Sequence, residues 1–183
     1  VTLSPDTVVY LAGKVLKGNE IGRVNDWRKQ YVESLSPIKE LRFLSPDDPS
    51  LDEGDPEMIF GHDCHLVTRC DIVIVNATTK LGVGTAQEML LAKYFEKYVL
   101  TVLPPDSHHR RSNLEMHGKT VADWIHPFVF STSDAIFASL EELVDHLAAE
   151  LPALRSRAPK NMTYIEGVIE RYRQSSHADL EHV

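Results

Sequence analysis

The sequence predicts an α/β fold, one doubly wound parallel sheet with helices on both faces, in a single domain. Three observations predict it. Short apolar runs at 7–13, 41–44, 71–76 and 98–103 read as buried strands. Stretches with helical spacing alternate with most of these runs, which implies parallel strands joined by crossover helices. The length of 183 residues suits one domain with its own core.

Composition narrows the class. Hydrophobic content of 43% and charged content of 25% are ordinary for a soluble globular chain. No apolar run approaches the ~20 residues of a membrane span, so no membrane partner is expected. The opening VTLSPDTVVYLAG has no basic region and no cleavage-like site, so a cytoplasmic protein is expected. Cys64 and Cys70 read as buried thiols in a reducing compartment. A net charge of −8 argues against nucleic-acid binding, but it leaves room for a local basic pocket for one small anion.

Thr7 to Gly13 reads as the first strand, with Tyr10 its one polar-tipped residue. Tyr10 is either a core tyrosine with a satisfied hydroxyl or a site residue. Lys14 to Arg23 reads as a loop over the strand's carboxyl end. Asn25 or Asp26 can cap a helix from Trp27 to Leu35, with Trp27, Tyr31 and Leu35 on one face. Ser36-Pro37 ends it. Leu41 to Leu44 is a second strand. Ser45 to Pro56, rich in Pro, Asp, Ser and Gly, is a solvated acidic loop without metal-ligand spacing. Glu57 to Arg69 is a helix with Met58, Ile59, His62, Leu66 and Cys70 inward. Asp63 sits mid-helix, an unusual place for aspartate, with plain exposure as the default.

The strand Asp71 to Asn76 and a helix from Thr85 to Lys97 follow, then a strand from Tyr98 to Leu103. Asp106 to Lys119 reads as a polar loop. Its adjacent His108 and His109 have no metal-spaced partners, so no metal is expected. Phe128 to Ser131 reads as the last strand, and Ser139 to Leu151 as an amphipathic helix. The segment 152–183 completes the domain as a basic linker, a helix over Met162 to Gln174 and a frayed tail after Ser175. There are no repeats.

The chain is organised around Cys70 to Met89, in which a strand, a turn with Gly82 and Gly84, and a helix entrance follow one another. Glycines let a ligand approach the backbone, and the first helical amides point outward. In a doubly wound sheet, ligands sit at the carboxyl ends of the strands. Those ends carry Gly13, Asn76, the Gly82–Thr85 turn and the Asp106–Asn113 loop, so Tyr10, Glu88 and Asn113 share a neighbourhood. Two readings of Glu88 stand at this point. It is a functional carboxylate, or it closes a capping box as N3 to Thr85.

Val-Tyr-Leu-Ala-Gly at Tyr10, Asp63 before Asp71, Gly-Thr-Ala-Gln-Glu at Glu88, and Tyr-Val-Leu-Thr-Val-Leu-Pro with Asn113 behind it resemble the nucleoside 2-deoxyribosyltransferase family. The resemblance covers residues 7–116 and implies a flavodoxin-like or Rossmann-like three-layer sandwich. It implies cleavage of the N-glycosidic bond of 2′-deoxynucleosides, with transfer of the deoxyribosyl group to another base. Glu88 falls in the nucleophile's place and Tyr10 on the tyrosine that orients it. Asp63 falls near sugar and base, and Asn113 on an asparagine that reaches the 5′-hydroxyl in a neighbouring subunit's site. Nucleoside or nucleotide and free nucleobase are the implied partners of a homo-oligomer, a dimer or higher, with shared active sites. No cofactor is implied.

The chemistry is coherent, because a carboxylate can capture an oxocarbenium-like sugar as an ester and split one displacement into two. Six residues before Glu88, where such transferases often carry a base-recognising aspartate, this chain has Gly82. Arg110, Arg111 and Ser112 directly precede Asn113 and suit a 5′-phosphate, so a 5′-monophosphate N-glycosidase is the first alternative. A non-catalytic nucleotide-binding module with Glu88 as a cap is the second.

Overall fold

In a computed structural model, residues 6–15 and 26–175 are described. Five parallel strands form the main sheet in the order β2-β1-β3-β4-β7. They are β1 (Thr7–Ala12), β2 (Leu41–Leu44), β3 (Ile72–Asn76), β4 (Tyr98–Val102) and β7 (Ala135–Phe137). From β1 the chain steps outward to β2, then returns to place β3 on β1's other side. The order reverses between β1 and β3, and the crevice at their carboxyl ends is where such sheets bind ligands.

Strand alternation sorts the core into two layers. Val9, Leu11, Ile72, Ile74, Leu100 and Val102 face α1 (Trp27–Leu35) and α5 (Leu140–Leu154), meeting Tyr31, Leu35, Leu143 and Leu147. Tyr10, Ala12, Val73, Val75 and Val99 face the other way, toward α2 (Pro56–Arg69), α3 (Val83–Tyr94) and α4 (Pro127–Thr132). There they meet Val67, Met89, Ala92 and Val129. Tyr10 is an even-numbered residue in β1, and that parity puts its ring on the α2–α3 side.

The helices start as local chemistry directs. Asp26 caps α1 by accepting from the Arg28 amide, Asp55 caps α2 by accepting from the Met58 amide, and Ser139 caps α5. The expected loop over residues 14–23 lies outside the described residues from 16 onward, as do Asn25 and the tail after Ser175.

Several stretches differ from expectation. The polar stretch after β4 is not a loop. Residues Arg110–Met116 (β5) and Lys119–Ile125 (β6) form an antiparallel hairpin outside the main sheet. His117 and Gly118 turn it with φ of 50° and 74°, the twist that two-residue hairpin turns need. Phe128 to Ser131, expected as a strand, lies in α4, where Pro127 suits the first turn, and Ala135–Phe137 is the last strand instead. Finally, α5 runs through Pro152 to Leu154, because Leu151 and Leu154 are buried against the sheet.

Candidate active site

Four elements converge on one buried carboxylate. β1 contributes Tyr10, α3 contributes Glu88, α2 contributes Asp63, and the start of α1 contributes Arg28. The Tyr10 hydroxyl donates to Glu88 Oε1 at 2.8 Å. Tyr10 is fully buried and Glu88 is 9% exposed, so little water competes for this bond.

The position of Glu88 in its helix rules out the capping box. α3 begins at Val83 with Gly82 as N-cap and no side-chain cap bond. Thr85 is already inside the helix, and Glu88 lies a further turn along, facing the sheet. Its carboxylate is spent on Tyr10 rather than on a helix amide.

Burial raises the Glu88 pKa to about 6 and is the largest influence on it. The Tyr10 hydrogen bond pulls it down, the Asp63 charge pushes it up, and the Arg28 charge pulls it down. Glu88 is therefore mostly ionised at neutral pH. Burial, then the Glu88 charge and hydrogen bond, push the Tyr10 hydroxyl far above its ordinary range, so it remains a donor.

Asp63 is half-buried on the inward side of α2, not the plain exposed aspartate that was the default. Burial raises its pKa, and His62, with Nδ1 3.3 Å from Asp63 Oδ1, opposes the rise. A carboxyl with a raised pKa beside Glu88 is suited to hold a proton for a leaving group.

Arg28 was not singled out from the sequence. It is 5% exposed, and its guanidinium donates to the carbonyls of Leu11 (3.3 Å), Gly13 (3.1 Å) and Lys14 (3.1 Å). It also stacks over Trp27 at 4.5 Å. This cation ties the carboxyl end of β1 to α1 and acts on both carboxylates. One signal was present, since an arginine in a helix's first turn opposes the helix dipole and needs another reason to be there.

The remaining predicted residues fall into two groups. Gly13, Asn76, Gly82, Gly84 and Thr85 lie at the crevice. A Cβ on Gly13 would come within 2.7 Å of Trp27 Cζ2, so the ring's close approach requires glycine there. Asn76 Oδ1 accepts from the Thr78 amide and hydroxyl, which turns the chain as it leaves β3. Gly82 and Gly84 have open space where a side chain would project.

Arg110, Arg111, Ser112 and Asn113 lie on β5, and the groups that act on Glu88 are Tyr10, Asp63 and Arg28 instead. Arg110 is engaged in a two-pronged ion pair with Asp123 (2.8 Å each) and donates to the Leu103 carbonyl (3.2 Å). The Ser112 amide donates to Asp106. Arg111 and Asn113 are exposed, and Asn113 has a φ of 50°.

Among the described residues, no three His, Cys, Asp or Glu side chains gather to hold a metal, and no helix is long and apolar enough to cross a membrane. A cleft of about 410 Å³ opens at the opposite, amino ends of β1, β3 and β4. Of its basic residues, Arg69, Lys97 and Arg155 end or follow α2, α3 and α5, where a positive charge offsets the helix dipole, and Arg42 on β2 pairs with Asp6.

No family model matches the chain, and no curated protein matches it. Solved structures do. A conserved protein from Enterococcus faecalis aligns over 78% of this chain and 98% of its own, at 18% identity and a TM-score of 0.57. A 2-desoxiribosyltransferase from Leishmania mexicana aligns over 78% and 98%, at 17% identity and 0.56. The 2-deoxyribosyltransferase of Bacillus psychrosaccharolyticus aligns over 76% and 91%, at 17% identity and 0.51. Doubly wound, flavodoxin-like, and matched over nearly the whole of each of these structures, the chain has the fold on which those two deoxyribosyltransferases are built.

Proposed function

We propose that this chain is an enzyme of the nucleoside 2-deoxyribosyltransferase kind. It cleaves the N-glycosidic bond of 2′-deoxynucleosides and passes the deoxyribosyl group to another base or to water. The observation that carries this reading is the buried Tyr10–Glu88 hydrogen bond at the sheet's switch point. Tyr10 holds Oε1, which leaves Oε2 to attack C1′ of the sugar. The C1′–N bond breaks, its electron pair leaves with the base, and Asp63 supplies the proton that the departing nitrogen takes up. The resulting ester is opened by a second base or a water, whose N–H or O–H proton passes to Asp63 as the new C1′ bond forms and the ester C1′–O bond breaks, which returns Glu88 as the carboxylate and Asp63 as the acid. Arg28 offsets the negative charge that Glu88 and Asp63 would otherwise concentrate.

The test is incubation with deoxynucleosides, with and without a second base, and chromatography of released base and exchanged nucleoside. The Glu88→Gln protein should fold and lose turnover by roughly a thousandfold or more. Mass spectrometry of the parent with substrate should show one deoxyribosyl group on the peptide containing Glu88. Near-parental turnover in folded Glu88→Gln would end this reading.

A second reading takes 5′-monophosphates as substrates. What favours it is the entrance of α3, where Gly82 and Gly84 have open space at the position of a side chain and no side chain caps the helix. Running the same assay with deoxynucleoside monophosphates separates the two.

A further inference from the structure

We infer that His109 is a positioning residue for the glycosidic site, pinning the 78–82 loop and with it the first turn of the helix that carries Glu88. The inference rests on the function proposed above.

The Leu81 amide donates to His109 Nε2 at 2.9 Å. A backbone amide can only donate, so Nε2 must carry its lone pair, with the ring neutral and its proton on Nδ1. Leu81 directly precedes Gly82, the residue from which α3 starts without a side-chain cap. A glycine entrance has more freedom than any other, and here an outside tether restrains it. At the loop's other end, Asn76 holds Thr78. The two attachments fix both ends of the segment between β3 and α3.

His109 is itself held. It sits at the base of the hairpin, where the His126 amide donates to its carbonyl at 2.9 Å. Its ring meets His108 edge-on at 4.7 Å and His126 edge-on at 5.5 Å. The titratable groups facing it are His108, His126 and Lys80, with no carboxylate among them. Burial first, then these three, hold its pKa below the ordinary histidine value. Protonation would turn Nε2 from acceptor to donor, facing an N–H that is also a donor, and the tether would release.

The experiment compares the parent with His109→Ala and His109→Gln. It measures hydrogen exchange at the Leu81 amide across pH, together with kcat and KM for deoxynucleoside cleavage. In the parent, Leu81 should be protected at neutral pH and lose protection on acidification. His109→Ala should lose protection and kcat/KM by about ten- to a hundredfold, the scale of a small misplacement of reacting groups. Glutamine carries a non-titrating acceptor, so His109→Gln should retain most of both and remove the acid-induced release. Parental exchange and kinetics in His109→Ala would overturn the inference, as would lost protection with unchanged kinetics. If His109→Ala fails to fold, the acid response of His109→Gln decides. If the parent releases no base, the functional reading fails while Leu81 exchange still decides whether His109 pins the loop.

Discussion

Glu88 answers to two opposing demands. Its site is dry enough to raise its pKa from 4.5 to about 6, yet a nucleophile must be ionised. The folded chain therefore holds a proton on Glu88 more tightly than the unfolded chain does. The stability from that proton is fully present below the unfolded pKa and is lost as pH rises through the folded one. The loss amounts to about 2 kcal/mol at most. Turnover runs the other way, so between about pH 4.5 and 6 activity should climb while this contribution to stability falls. Tyr10→Phe removes an influence that lowers the Glu88 pKa, so both transitions should move to higher pH. Parallel pH profiles of turnover and urea midpoint check this. Coincident optima, or an unmoved acid limb in Tyr10→Phe, would detach Tyr10 from Glu88. Tyr10 stands out in the sequence as the one polar-tipped residue of an apolar strand, while Glu88 is singled out by the glycine turn before it and by the family resemblance, because its spacing from Thr85 alone fits a helix cap equally well. Arg28 was not legible, because a helix-start arginine reads as solvated, and only the fold shows it reaching the carbonyls of Leu11 and Gly13.

Among the elements, those with an apolar pattern were legible and those without one were not. β1, β3 and β4 are buried on both faces and read as continuous apolar runs. β5 and β6 expose most of their side chains, so RRSNLEM carries no core-facing alternation and reads as loop. In α4, Phe-Val-Phe has high strand propensity, yet Pro127 fits a helix's first turn and Val129 packs into the core beneath it. α2 offers a test at this scale. Its entrance is fixed by Asp55, whose carboxylate accepts from the Met58 amide at 3.0 Å. Its C-terminal half is anchored by Val67, with Cys70 buried at the C-cap. Asp55→Ala should cost about 1 kcal/mol, which is a few degrees of melting temperature. Turnover should change by less than about threefold, because Asp63 lies two turns beyond the cap. Calorimetry and kcat on the same protein check both. A collapse in kcat would mean that the cap, and not the interior packing, holds Asp63 in place.

Across the whole molecule, the hairpin is set apart. It has two strands, mostly exposed, outside the main sheet, and isolated hairpins are marginal on their own. Arg110 and His109 brace its base, while Asn113 stands exposed along it. We propose that Asn113 completes a site in a neighbouring copy of the chain. Mixing inactive Glu88→Ala with inactive Asn113→Ala protein should then restore activity, because a hybrid assembly contains one site with both residues intact. Exchange of subunits without recovery would place Asn113 outside the chemistry. The fold's remaining lesson lies in β1, whose residues alternate between two layers, with Leu11 and Val9 toward α1 and α5 and Tyr10 toward α3. Deleting one residue within that strand would carry every later side chain across the sheet, turning the hydroxyl into the wrong layer and an aliphatic chain onto Glu88. The acidic loop after β2 can vary in length one residue at a time, but β1 can change only by twos.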